Sequence, residues 1–379
     1  MEKQPKNFGF GEEEAMVKSS ARKFFSDNCP IEKIHSQVAN QEKNSSPGNG
    51  NWDRRLWEKM VEMGWPSLNV AESSGGVGMP LCAAVAIAEE AGRAAVPSPL
   101  IPTFCSSFVL NQCPGQAAEE ALNQITQGTA VSLGITNSKG SSDPSQTETE
   151  IKGNKLYGAT YYVQDAQKAE KIIVSAKGSS GTGLYLLDTQ SKGVQIIPDL
   201  IVDLTRDQAH IIFDGAPCIE LAKQTDGAAA LSAALPAMLT IVSADMVGAG
   251  EWLLQTTAEY AKTRVQFDHP IGFFQAIKHP LVNVMIEIDK AKSLTYNAAC
   301  SIDFKEDSAE VNARMAKAQA SEMAVFSASR AVQFHGGIGF TWECFVHIFF
   351  KRQMHNQVLY GDAKHHRRIL SDLCIGQIN

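Results

Sequence analysis

Between Arg264 and His279 the chain reads RVQFDHPIGFFQAIKH, so Arg264 and Phe267 stand where Pro270 and Gly272 must break a helix, and a helical pattern restarts at Gln275. A guanidinium, an aromatic ring and an amide at a helix end suit a dinucleotide: the first for a pyrophosphate, the second for adenine, the third for a polar edge. A plain helix–helix corner would use the same breakers. Gln333, followed by Gly336, Gly337, Gly339 and Thr341, forms a second place of this kind. Its glycines end a long helical pattern and let backbone approach a ligand, whose phosphate or ribose oxygens the turn's N–H groups can hold. Thr341 reads as the N-cap of the next helix. The alternative is a glycine-rich helix end and nothing more. The third place is Asp245, a lone carboxylate on a stripe of Met238, Ile241, Val242, Gly248, Ala249 and Trp252. It must be hydrogen-bonded, paired or protonated, and burial would raise its pKa toward the range of a general base.

The elements that must position these residues follow from periodicity. Helical spacing of apolar residues predicts helices over 12–28, 54–64, 82–95 and 116–127, the third closed by Gly92 and by Pro97, Ser98 and Pro99. The stretch 41–51 has every turn former and no apolar residue, and reads as an exposed loop. From Ala130 to Phe213 the texture changes to short β-rich runs at 131–135, 155–163, 171–175, 184–187, 194–197 and 210–213, with turn clusters between them. Long helical segments return over 229–264, 275–304, 308–334, 343–359 and 363–374, enough for a bundle. The expected class is α+β in three parts: a helical domain over 1–128, a β-barrel-like domain over 129–227 and a helical bundle over 228–379. This order excludes a Rossmann fold, which needs strands and helices in alternation. The glycines at 178, 181 and 183 read as a hairpin loop between two strands, not a phosphate cradle.

Composition narrows the function classes. Across 379 residues, 34 Lys and Arg face 41 Asp and Glu, a net charge of −7, which makes nucleic acid a poor partner. Hydrophobic residues at 44% and charged ones at 20% are globular values. Eight cysteines, with no C-x-x-C pair, read as reduced thiols of a cytoplasmic protein, and no metal site is expected. The first six residues lack an apolar run, and no stretch of about 18 uncharged apolar residues is apparent, so secretion and membrane spanning are disfavoured.

Taken together, these motifs resemble the acyl-CoA dehydrogenase family of flavoproteins, in particular the bacterial heteromeric enzymes acting on steroid side-chain CoA esters. The resemblance runs through Trp57 to Trp65, through Glu72, Gly75, Gly76 and Gly78, through Glu89 to Arg93, and through the two motif segments of the last third. It implies FAD, an acyl-CoA substrate, a homo- or hetero-tetramer with a related subunit, and an electron-transfer flavoprotein as acceptor. It also implies the reaction: a carboxylate takes the proton α to the thioester carbonyl while the β hydride passes to flavin N5, giving the trans-2-enoyl-CoA. Residue by residue, Arg264 and Phe267 would meet pyrophosphate and adenine, Gln275 belongs to the family's Phe-Gln element, and Gln333, Gly336 and Gly337 would meet pyrophosphate and ribose across a subunit contact.

The departures from the family are as informative. Where many members carry a glutamate base after a tyrosine, Tyr360 is followed by Gly361, and Asp362 reads as the cap of the helix opening at Ala363. Other members place the acid on the first bundle helix, which makes Asp245 the candidate base; a structural, hydrogen-bonded aspartate is the equal alternative. The flavin-ring loops of the β domain are replaced by Thr136 to Asp143 and by Tyr162, Val163 and Gln164. Three expectations follow: a complete dehydrogenase, a supporting and catalytically degenerate subunit of a heterotetramer for a bulky steroid-like acyl-CoA, or a non-enzymatic CoA- or flavin-binding scaffold.

Overall fold

The computed structural model describes residues 7–44 and 52–376. The first six residues, and 45–51 of the expected loop, lie outside that range. Six helices come first: α1 (Glu12–Asn28), α2 (Ile31–Asn44), α3 (Arg54–Glu62), α4 (Leu81–Arg93), α5 (Leu100–Leu110) and α6 (Gln116–Thr126). Two of them depart from the expectation. Residues 41–44 belong to α2 and not to a loop, and α5 follows directly on the Pro97–Pro99 stop. All of α5 is buried, so it has no polar face and no period to read.

Eight strands follow: β1 (Val131–Gly134), β2 (Glu150–Lys152), β3 (Lys155–Gln164), β4 (Lys171–Gly178), β5 (Gly181–Asp188), β6 (Val194–Pro198), β7 (Gln208–Pro217) and β8 (Ile219–Ala222). They form one sheet in the order β6-β7-β3-β2-β4-β5-β8, with β1 paired to β4. Strands β3 and β4 are held apart, by β2 at one end and by β1 at the other, where Thr136 bridges Tyr161. Among the described residues no pairing joins β6 to β8, so the barrel-like expectation resolves to a single open mixed sheet. Ser179 and Ser180 close the β4–β5 hairpin between the paired Gly178 and Gly181, as expected of a turn.

The bundle comprises α7 (Gly227–Thr263), α8 (Gln275–Asp303), α9 (Ala309–His335), α10 (Val346–Asn356) and α11 (Ala363–Ile375). The expected segments correspond closely, except that α10 starts at Val346: Thr341 donates to the Ile338 carbonyl and caps no helix. Asp362 does cap α11, accepting from the His365 N–H at 2.8 Å. By length and apolarity α7 could cross a membrane, contrary to the sequence expectation, but 67% of its most apolar window is buried in the protein. It is a core helix. Its buried hydroxyls, Thr240, Ser243 and Thr257, each bond to the carbonyl of the preceding turn. Helix α4 crosses α7 backbone to backbone: a Cβ on Gly248 would run into the Glu89 carbonyl, and one on Gly92 into the Asp245 carbonyl.

Candidate functional site

The structure gathers the expected residues at three places. At the end of α7, Arg264 is the exposed C-cap, and Val265–Gln266 pairs with His269–Pro270 in a two-residue hairpin. Its central residues, Phe267 and Asp268, both have positive φ, at 55° and 62°. Non-glycine residues adopt that conformation at a cost, usually where a side chain is being presented. The presented ring is Phe267, 84% exposed, packed edge-on to Phe274. Gln275 opens α8 just beyond, as the sequence predicts. The second segment lies at the same end of the bundle, because Tyr260, one turn before Arg264, stacks on His335 with ring centroids 4.3 Å apart. His335 ends α9 and Gly336 turns away at φ 67°. A Cβ on Gly336 or Gly337 would meet nothing within 4 Å, so backbone faces open space there. Gln333 lines an adjoining groove of about 660 Å³ with Arg330, Gln357, Asp362 and Lys364. Among the described residues, the side chains of Arg264, Gln275 and Gln333 are exposed and make no hydrogen bond within the chain.

Asp245 is the opposite. It is fully buried, and Arg352 grips it from Nε to Oδ1 at 2.9 Å and from Nη2 to Oδ2 at 2.7 Å. Arg206 Nη2 donates to Oδ2 at 2.5 Å and Asn356 Nδ2 to Oδ1 at 2.9 Å. Burial pushes this carboxyl up, but the Arg352 and Arg206 guanidiniums outweigh it and hold the pKa below the ordinary aspartate value. A general base needs a free lone pair and a raised pKa. Asp245 therefore has the environment of the structural aspartate of the two alternatives and not that expected of a base. Arg352 also donates to Thr205 Oγ1 at 2.9 Å and to the Val96 carbonyl at 3.4 Å, so the cluster ties the first helices, the sheet and the bundle together. Sequence reading missed Arg206 and Arg352, which lie 39 and 107 positions from Asp245 and leave no local signal.

The third place is the turn after α10. Tyr360 has φ 55° and Gly361 φ 104°. The Tyr360 hydroxyl pairs with the Cys105 thiol of α5, and burial carries its pKa well above the usual tyrosine value. A Cβ on Gly361 would overlap the His365 ring, so backbone and neighbour both select glycine. At the end of β3, Gln164 is committed to the protein: its Nε2 donates to Gln208 Oε1 and to the Tyr162 carbonyl, each at 3.0 Å, and its Oε1 lies 2.6 Å from His355 Nε2.

Residues 11–129 match the acyl-CoA dehydrogenase N-terminal domain and residues 225–373 its C-terminal domain. The chain belongs to the acyl-CoA dehydrogenase family. It is an enzyme of that class, and the family's cofactor is FAD. Acyl-CoA dehydrogenase IpdE2 of Mycobacterium tuberculosis is 31% identical over 302 residues, which is 79% of this chain and 80% of the relative. The mitochondrial long-chain specific acyl-CoA dehydrogenase of Sus scrofa is 25% identical, over 88% of this chain and 80% of the relative. Among solved structures, a variant of the steroid ACAD Tcur3481–Tcur3483 superposes with a TM-score of 0.86 at 25% identity, covering 97% of this chain and 98% of that one. The ChsE4–ChsE5 complex of Mycobacterium tuberculosis gives 0.84 at 23% identity, covering 98% and 100%, a likeness of fold.

Against the acyl-CoA dehydrogenase cofactor the residues fit unevenly. The residues expected at the adenosine end would suit it: an exposed ring held at positive φ, polar side chains without a partner among the described residues and two glycines facing open space are what a dinucleotide needs. At the ring end the polar groups of Gln164 already have protein partners.

Proposed function

We infer that this acyl-CoA dehydrogenase chain serves the α,β-dehydrogenation of a bulky, steroid-like acyl-CoA thioester as the supporting subunit of a heteromeric enzyme. The observation that carries this reading is the absence of a usable carboxylate at either of the two positions where the resemblance leads one to expect the base: Gly361 has no side chain and little room for one, and Asp245 is locked between two guanidiniums. This favours the second expectation over a complete dehydrogenase. The α proton is then taken by a carboxylate of a related subunit. FAD, when bound, accepts the β hydride. In this chain Arg264 neutralises pyrophosphate charge, Phe267 stacks on adenine, Gln275 and Gln333 supply amide contacts, and the N–H groups at Gly336 and Gly337 hold ribose or phosphate oxygens. Their exposure, with no partner among the described residues, supports donation across a subunit contact in an α2β2 tetramer. Domain limits at 128 and 227, a cytoplasmic location and an electron-transfer flavoprotein as acceptor complete the proposal.

The test is the chain expressed alone and with its copurifying partner, followed by anaerobic stopped-flow reduction with a steroid-side-chain acyl-CoA. Alone, it should be colourless and inert; with the partner, yellow and bleached by substrate. A chain that is yellow on its own and reduced by acyl-CoA would overturn the subunit reading.

A further inference from the structure

Helix α9 and the turn between α10 and α11 meet around one buried ammonium. Lys317 is fully buried, and its Nζ donates to Ser321 Oγ at 2.9 Å, to the Gln357 carbonyl at 2.9 Å and to the Gly361 carbonyl at 2.7 Å. In its protonated form the group has all three of its donors matched to acceptors. Gln357 is the C-cap of α10, which sets the charge at that helix's negative end. Ser321 Oγ in turn donates to the same Gln357 carbonyl at 3.1 Å.

The far side of these residues is the groove that contains Gln333. Ser321, Gln357 and Asp362 line it, and each is bonded to Lys317 or sits next to a residue that is. One hidden side chain thus sets three points of the groove's wall without touching its contents. Burial pulls the Lys317 pKa down to about 7, with the Asp362 carboxylate opposing. The other charged and titratable groups acting there are His365 and His366 of α11, both lowered by burial and the second to about 3, and Arg314 of α9, which is paired with Glu310. From α10 and the turn, Lys317 meets backbone carbonyls.

We propose that Lys317 is a positioning residue for the dinucleotide groove: its ammonium, spanning from α9 to the carbonyls of Gln357 and Gly361, holds the wall against which the cofactor lies. This rests on the reading of Gln333 and its groove as part of the flavin site. Loss of the proton leaves a carbonyl without its donor and loosens the turn.

The experiment is FAD titration by fluorescence into the flavin-stripped complex of this chain with its partner, across neutral pH, with thermal unfolding in parallel. Wild type should bind FAD less well as pH rises through the neutral range. Lys317→Met should bind roughly tenfold less well on the acid side, the scale of one unsatisfied buried carbonyl, with that pH dependence gone. Ser321→Ala keeps the ammonium but removes one acceptor, so it should move the pH midpoint downward; this variant carries the test should Lys317→Met fail to fold. An unmoved midpoint in Ser321→Ala, or wild-type affinity and pH profile in Lys317→Met while Gln333→Ala weakens binding, would overturn the positioning role. If Gln333→Ala also leaves FAD affinity unchanged, the groove assignment is what fails.

Discussion

Two charged places in this protein lie on the same long helix and obey opposite rules. Asp245, midway along α7, has every oxygen engaged and no exposure. Arg264, at the end of α7, has no partner among the described residues and stands in solvent beside an 84% exposed phenylalanine. The first is committed to the fold and the second is left open to solvent. Satisfaction by the chain's own groups is thus what separates the two charges, and residue type or helical position does not reveal it.

Substitutions can break or sharpen this contrast. The largest effect is expected from Asp245→Asn, which leaves two buried guanidiniums without their anion and should cost about 3 to 5 kcal/mol of stability. Chemical denaturation measures it, and a variant that unfolds like wild type would refute the hub. The hub also has a pH signature. Its carboxyl pKa is lowered in the folded state, so the stabilisation is complete above the ordinary aspartate value of 3.8 and is lost as pH falls below it. Acid unfolding should reflect that loss, and Asp245→Asn should be less sensitive to acid than wild type. Next comes Arg264→Ala, which should weaken FAD binding to the complex by about 1.5 to 3 kcal/mol while leaving the melting temperature unchanged. A fall in melting temperature with unaltered flavin affinity would reverse the contrast. Smaller again is Asp362→Ala, which removes the α11 cap and should cost about 1 kcal/mol in thermal unfolding. Asp362→Asn keeps a capping oxygen and should lie within about 0.5 kcal/mol of wild type.

Local signals carried most of the architecture. The helix breakers at Pro270 and Gly272, the glycines after His335 and the apolar periodicity of α8, α9 and α11 all speak within a few residues of where they act. Helix α5 escaped because burial on every side erases amphipathic spacing, and Pro97 to Pro99 looked like an end when it was a joint. Helix α2 is a different kind of miss: Ile31, Ile34 and Val38 do recur at helical spacing, but the turn formers after Gln41 obscured it. In the candidate site, Arg264 and Gln333 could be singled out because their motifs are local. Asp245 was legible as an anomaly but not in its role, since Arg206 and Arg352 arrive from the segment before β7 and from α10. Lys317 gave no signal at all, because its three acceptors include two backbone carbonyls, which no side-chain pattern encodes.

The apolar surface of α7 has a consequence during biosynthesis. Its buried hydroxyls are occupied by its own backbone, so a newly made α7 shows its surroundings a long, mostly apolar stretch. Helix α4, which receives it at Gly92, has already emerged from the ribosome by then, whereas α8 and α9, which cover its other sides, have not. Until they follow, the half-clothed helix is a target for chaperones and a hazard for aggregation.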